Sequence, residues 1–424
     1  MNSNNINLKI GYFLLGMLLF FVVTYDRNLL VTYHLTGKEN AVYLVPIVFL
    51  MLGIVLTCVA TILGRLSFLK IHRPLVFLLL LASVYFLAHE LLIGNQMISA
   101  KYSMLLLFLC ITLGVRQDFY FIFKVFAIVG VCMSLIILSQ QALLSFIENG
   151  SLSSFSIAIY GDEIGRWNSC DFVNPYGIGY FERCTAEPRN LFGIQLNRSL
   201  LFSREPKYIS SVLLITMASA LVSEFSKKWK IRILILHLFS LLFVMSFTAF
   251  AAILASIFLL YVRLNPLFFV FIAFLLPLII IPLVGQVLLQ TIEPSNMIDF
   301  RLLSAAGSFG EGFSIKLSLL GTGVTQNLRT IEGTILYKIY GQYGVVGFIL
   351  VIALFYFFVK DAFIYNFLHF RDKLTSYGLL IFVTSILFFN LYFFSDIFNF
   401  YFIFSVLALL FIPTKMRELY NKTT

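Results

Sequence analysis

The sequence predicts an all-α polytopic integral membrane protein of about twelve transmembrane helices, and three observations predict it. Hydrophobic residues make up 60 % of the 424 positions and charged ones only 12 %, a balance that a water-soluble globule of this length does not carry. The apolar residues fall in runs near the ~20 residues that cross about 30 Å of hydrocarbon. Lys and Arg gather in alternate connections between those runs, the bias that orients membrane helices.

Taken in order, spans are expected near Leu8–Thr24, Ala41–Leu63, Leu75–Ile93, Tyr102–Val115, Phe119–Leu144, Ile209–Val222, Ile233–Met245, Phe247–Val262, Leu267–Val284, Gly344–Val359, Ser376–Phe394 and Phe398–Pro413. Two turns rest on little. Ile231–Val262 offers only Ser246 and Thr248 as turn material, and Leu379–Pro413 only Ser395, Asp396 and Asn399. The first apolar stretch runs into Tyr25, Asp26 and Arg27 without a small-residue cleavage pattern, so the first helix is expected to stay. No internal repeat, low-complexity segment or terminal soluble domain is visible, and residues 1–424 read as a single integral membrane domain.

An inside N-terminus puts 17 Lys and Arg on the inner face and only Arg27, Lys38 and Lys101 in the short outer loops. That assignment keeps both doubtful turns, since merging either pair of spans would invert everything downstream. It places both termini inside and turns two long polar loops outward, 145–208 and 286–343. The inner face then holds 17 bases and five acids and the outer side 13 bases and 15 acids, so the net charge of +10 reflects topology rather than nucleic-acid binding.

Cys58, Cys110 and Cys132 lie within apolar spans, whereas Cys170 and Cys184 are the only cysteines in a polar loop. On an oxidising face these two are expected to form a disulfide, closing a loop worth about 3 kcal/mol of chain entropy; the alternative is two reduced thiols. A metal site is not expected, because the loop has no His to complete a ligand set. The chain also lacks a phosphate-binding Gly-x-x-x-x-Gly-Lys-Ser/Thr loop, a Gly-x-Gly-x-x-Gly, a His-Glu-x-x-His and an outer-loop Asp-x-Asp. Its inner loops are too short to fold a nucleotide site. Any reaction must use a substrate that arrives activated, and no cofactor is expected.

The strongest local constellation closes the first long loop: Asn197, Arg198, Ser199, Leu200, Leu201, Phe202, Ser203, Arg204, Glu205, Pro206, Lys207 and Tyr208 run straight into a span. From Arg183 onward the loop carries Arg183, Arg189, Arg198, Arg204 and Lys207 against only two acids, Glu187 and Glu205. Guanidinium forks bind phosphate oxygens bidentately, and more strongly where water is scarce. An anionic head group at the mouth of that span is the matching partner; the plainer reading is contact with membrane-lipid phosphates. Glu205 reads equally as an ion-pair partner that orients an arginine and as a general base tuned by desolvation and nearby positive charge.

The second long loop supplies a thinner set: Asp299 and Arg301, the glycines 307, 310, 312, 321 and 323, then Asn327, Arg329, Glu332, Tyr337, Gly344 and Gly347. Glycines allow φ > 0 and close backbone approach, to a ligand or in plain turns. Arg301 is the candidate for a second phosphate contact, or else pairs with Asp299 or Glu293.

With these residues in view, the chain resembles the Wzy-type polysaccharide polymerases, the O-antigen and capsule polymerases of the bacterial inner membrane, which in layout also resemble the O-antigen ligases. The resemblance rests on about twelve spans, two large outer loops and an Arg-x-x-Gly-x-Phe-x-Glu-Pro pattern that Arg198, Phe202, Glu205 and Pro206 meet approximately. Leu320, Gly321, Thr322 and Gly323, followed by Gly344 and Gly347, are also like that family's second loop. The chain departs from the family at Leu201, where Gly is usual, and at Ser246, Phe247 and Thr248, where Ser-Arg is common.

The resemblance implies a GT-C-like glycosyltransferase with two large periplasmic loops, moving a growing glycan from polyprenyl pyrophosphate onto a lipid-linked repeat unit. Its substrate would be an undecaprenyl-pyrophosphate-linked oligosaccharide, among membrane lipids and with a chain-length regulator protein as a further partner. Such a donor is already activated. Cations stabilise the departing pyrophosphate, the task expected of Arg198, Arg204 and Arg301, while Glu205, then Glu187 and Glu332, are the candidate bases. Arg189, Lys207, Tyr208, Arg329 and Glu332 are expected to line the substrate.

The O-antigen ligases, expected to use a second-loop histidine, are the nearest rival reading, and 286–343 contains no histidine. A transporter or flippase is the rival from another class. It would show ionisable residues deep in spans, and His89, Glu90, His237 and Asp396 are expected at interfaces instead. A scaffold for envelope enzymes leaves the clustered arginines unexplained. Of the 48 Phe and 21 Tyr most face lipid or helix neighbours; Tyr160, Trp167, Tyr176 and Tyr180 are the outer-loop aromatics considered for sugar contact, with loop packing the commoner role.

Overall fold

The computed structural model describes residues 73–92, 103, 105–107, 109, 120–147, 170–173, 180–184, 190–191, 194–195, 198–201, 206–262, 264–274, 319–321, 335–368, 373–393 and 405–412. Numbered among these, the helices are α1 (Arg73–Leu92), α2 (Tyr120–Ile147), α3 (Pro206–Val222), α4 (Lys227–Val244), α5 (Phe247–Tyr261), α6 (266–274), α7 (Ile335–Leu368), α8 (Lys373–Ser385, running on as a π-helical stretch Ile386–Phe393) and α9 (405–412). The protein is mostly helical. Among the described residues three stretches are long and apolar enough to cross a membrane, Pro74–Leu92, Ile122–Ala142 and Ile339–Tyr365. The first two expected spans, Leu8–Thr24 and Ala41–Leu63, lie outside the described residues.

Among the described residues between α2 and α3 there are five short strands, which the sequence reading did not expect: β1 (Cys170–Val173), β2 (Tyr180–Cys184), β3 (Asn190–Leu191), β4 (Ile194–Gln195) and β5 (Arg198–Leu201). β1, β2 and β5 make an antiparallel sheet in that order, and β3 and β4 pair separately. Segments such as Tyr-Phe-Glu-Arg-Cys mix polar and apolar residues in runs too short for a helical period to stand out.

The chain divides into two compact units, and α5 contributes to both. In the first, α3 is the central helix and packs against α2, α4 and α8. Residues 208–223 are all buried, the pattern of a helix apolar on every side. The hydroxyls it buries bond back to its own carbonyls: Ser211 Oγ donates to Tyr208 O at 2.8 Å, Ser219 Oγ to Ile215 O at 2.7 Å and Ser223 Oγ to Ser219 O at 2.6 Å. Glycines let neighbours close in on α3. A Cβ at Gly378 of α8 would stand 2.9 Å from side-chain carbons of Leu221 and Val222, and one at Gly130 of α2 would strike Thr216.

The doubtful turn between the seventh and eighth spans is a real break. α4 ends at Val244 and Met245 takes the left-handed conformation (φ 52, ψ 47), its N–H bonded to Leu241 O at 3.1 Å. Ser246 O then accepts from Ala249 N and Phe250 N to start α5. Ser395, Asp396 and Asn399, the material of the other doubtful turn, lie outside the described residues.

In the second unit α7 packs against α1 and the π-helical stretch. Phe269 and Phe274 of α6 stack with Phe363 and Phe355 of α7, centroids 4.8 and 5.5 Å apart. The expected span Gly344–Val359 falls within the apolar stretch Ile339–Tyr365; the helical run starts at Ile335, and Gly344 (φ 65, ψ −166) divides it into two helices joined at a kink. Only glycine takes that backbone geometry without strain.

Candidate functional site

The first long loop attaches to the first unit where α2 ends and α3 begins. α2 leads into the loop, β5 closes it, and α3 begins four residues beyond β5 with Pro206 at its first position, where the fixed φ suits a helix start. β5 lies against α2, α3 and α4. Arg198, the first residue of β5, is thereby placed on a strand held to the bundle. Ser210, in the first turn of α3, donates to Ser246 Oγ at 2.9 Å, tying the start of α3 to the α4–α5 break.

The sheet register adds partners that the sequence did not reveal. Glu182 stands opposite Arg198, and Asp171 opposite Arg183. Directly opposed residues of antiparallel strands project to the same face, and opposite charges there are mutually favourable. Arg183 stood out in the sequence only as one of five bases, and Glu182 and Asp171 not at all; the missing signal was strand pairing, invisible without the ladder.

Leu201, the last residue of β5, takes φ 49, a left-handed conformation unusual for a residue with a Cβ. Register shifts at this point of the β2–β5 ladder, so the strand turns here toward α3. Leu201 is 2 % exposed, and burial of its side chain offsets the strain.

Buried polar atoms at this end are incompletely bonded. Ser199 Oγ on β5 and both amide atoms of Gln140, in the last two turns of α2, have no hydrogen-bond partner among the described residues. Buried groups of this kind mark places where water or a polar ligand atom belongs.

Of the remaining candidates, Lys207 is in the first turn of α3 and Tyr208, one residue on, is 5 % exposed. Cys170 and Cys184 open β1 and end β2. Arg189, Arg204, Glu205, Glu187, Arg301, Arg329 and Glu332 lie outside the described residues. Among the described residues no three His, Cys, Asp or Glu cluster as a metal site would require.

Two histidines expected at interfaces are buried. His237, fully enclosed, is a structural residue: its Nδ1 donates to Ile233 O at 2.9 Å, the Thr216 hydroxyl lies 3.1 Å from Nε2, and Gly130 leaves the room for both. His89, 5 % exposed in the last turn of α1, donates from Nε2 to Leu320 O at 3.0 Å. Its ring stands 4.9 Å from that of Tyr343, whose carbonyl accepts from the Tyr85 hydroxyl. This knot gathers the second-loop glycines. Gly321 has φ 79, and a Cβ there would lie 2.6 Å from Gly344 N; Leu319 O accepts from Val346 N at 3.2 Å. The glycine freedom expected of this motif is present at Gly321 and Gly344, and it serves close approach of the chain to itself.

No protein-family model matches the sequence, and neither a curated protein nor a solved structure matches it.

Proposed function

We propose that the protein is a polysaccharide polymerase of the bacterial inner membrane, a GT-C-like enzyme of about twelve spans. It transfers a growing glycan from polyprenyl pyrophosphate to a lipid-linked repeat unit on the periplasmic face. The observation that carries this reading is the placement of β5: the strand that bears Arg198 lies on the bundle and leads, through Arg204 and Glu205, into the buried helix α3. A strand that begins with an arginine and packs on an apolar helix bundle suits a donor that is half anionic head group and half hydrocarbon.

In this reading Arg198 and Arg204 hold the pyrophosphate, where charge builds as the glycosidic bond breaks, and fixed cations act most strongly in a water-poor setting. Glu205 takes the proton of the acceptor hydroxyl as the new glycosidic bond forms. Glu182 stands opposite Arg198 in the strand register. Arg301 is assigned to the same pyrophosphate on the sequence alone. The transporter reading gains no support from His237, whose ring is bonded within the bundle.

The test is deletion of the gene in its host and gel analysis of surface glycans beside complemented cells. A single repeat unit retained on its acceptor, with the ladder lost, is the expected result. Loss of every repeat with accumulation of lipid-linked polymer would indicate a ligase, and an unchanged profile would overturn the enzymatic reading.

A further inference from the structure

We infer that Cys170 and Cys184 are joined by a disulfide that staples the sheet carrying Arg198, so that the ordering of this strand depends on oxidation of the pair. The antiparallel register of β1 and β2 sets the two residues directly opposite each other at the end of the ladder. Opposed residues of such a ladder have Cα atoms about 4.5 or 5.5 Å apart according to pair type, and both spacings lie inside the roughly 4.4 to 6.8 Å that a disulfide spans. A spacing of 14 residues in the sequence does not by itself bring two cysteines together; the ladder does.

The consequence follows from the strand order. β2 is the middle strand: it pairs with β1 on one side and with β5 on the other. A bond from Cys184 of β2 to Cys170 of β1 prevents β1 from slipping, and so fixes the register that sets Asp171 opposite Arg183. Two residues along β2 from Cys184, Glu182 meets Arg198. The bond forms by thiol–disulfide exchange with the disulfide of a dithiol oxidase on the outer side. The two thiols give up two protons and two electrons, and the oxidase disulfide becomes a dithiol. The cross-link itself does not depend on the functional reading; its effect on glycan transfer rests on that reading.

The experiment is alkylation of the full-length protein in freshly prepared membranes, with and without reductant, followed by mass mapping of the peptides that hold Cys170 and Cys184. Without reductant both cysteines should escape the label and be recovered as one cross-linked species lacking two hydrogens; with reductant both should label. In Cys170→Ser, Cys184 should label without reductant. Full labelling of both wild-type cysteines without reductant would overturn the staple. In cells, the Cys170→Ser/Cys184→Ser double variant at matched protein level should lose most of its long-chain glycan, several-fold or more, and an undiminished ladder would overturn the dependence of Arg198 on the cross-link. A gene deletion that leaves the glycans unchanged removes the functional reading and leaves the alkylation result standing.

Discussion

Replacement of Leu201 separates backbone strain from side-chain burial in one measurement. At an ordinary buried position Gly is worse than Ala, by roughly 0.5–1 kcal/mol of backbone entropy. At φ 49 the order should reverse, because a Cβ in the left-handed region costs about 1–2 kcal/mol and only Gly escapes it. Truncation itself removes a side chain that is 2 % exposed, a loss of about 2–5 kcal/mol in either variant. The expected order of thermal midpoints for purified protein in detergent is therefore wild type above Leu201→Gly, and Leu201→Gly above Leu201→Ala by the equivalent of about 0.5–1 kcal/mol. An alanine variant clearly more stable than the glycine variant would refute the left-handed assignment.

Gly130→Ala should destabilise the first unit by about 1–3 kcal/mol, since the added methyl strikes Thr216 and would lie 2.7 Å from His237 Nε2, whereas Ile128→Ala, at a position 57 % exposed, should shift the thermal midpoint little. Gly321→Ala should cost more than about 2 kcal/mol, because both its φ of 79 and the space held by Gln342 and Gly344 exclude a Cβ; proteolysis of the folded protein at rising temperature reads this, and an unchanged profile would contradict the close approach at that site. At matched protein level Arg198→Ala, Arg204→Ala, Glu205→Gln and Arg301→Ala should each abolish long-chain glycan in cells. His237→Ala should lower the amount of folded protein without stopping transfer, and normal chain lengths in Glu205→Gln would end its role as base.

The mostly helical, apolar character of the chain was legible in the sequence because it is decided by local quantities. Sixty per cent hydrophobic content and long apolar runs favour helices whatever their neighbours, whereas the break at Ser246, thinly marked in the sequence, was settled by the left-handed Met245. A cluster of cations before a span, Arg198 among them, needs no tertiary partner to be noticed, but that Arg198 lies on a strand opposite Glu182 could not be read from it. What the sequence could not decide were relations between distant residues. His237 looked interfacial until Thr216, Ile233 and Gly130 were seen to enclose it, and only the backbone showed that a further helix, from Ile335, precedes the one that starts at Gly344. The register of β1, β2 and β5 sets Cys170 opposite Cys184 and Glu182 opposite Arg198, and a shift of one residue would undo both pairings. Run length and charge act along the chain and can be read from it; pairing and close approach act across it, and only the folded arrangement chooses among the many partners that the same residues allow.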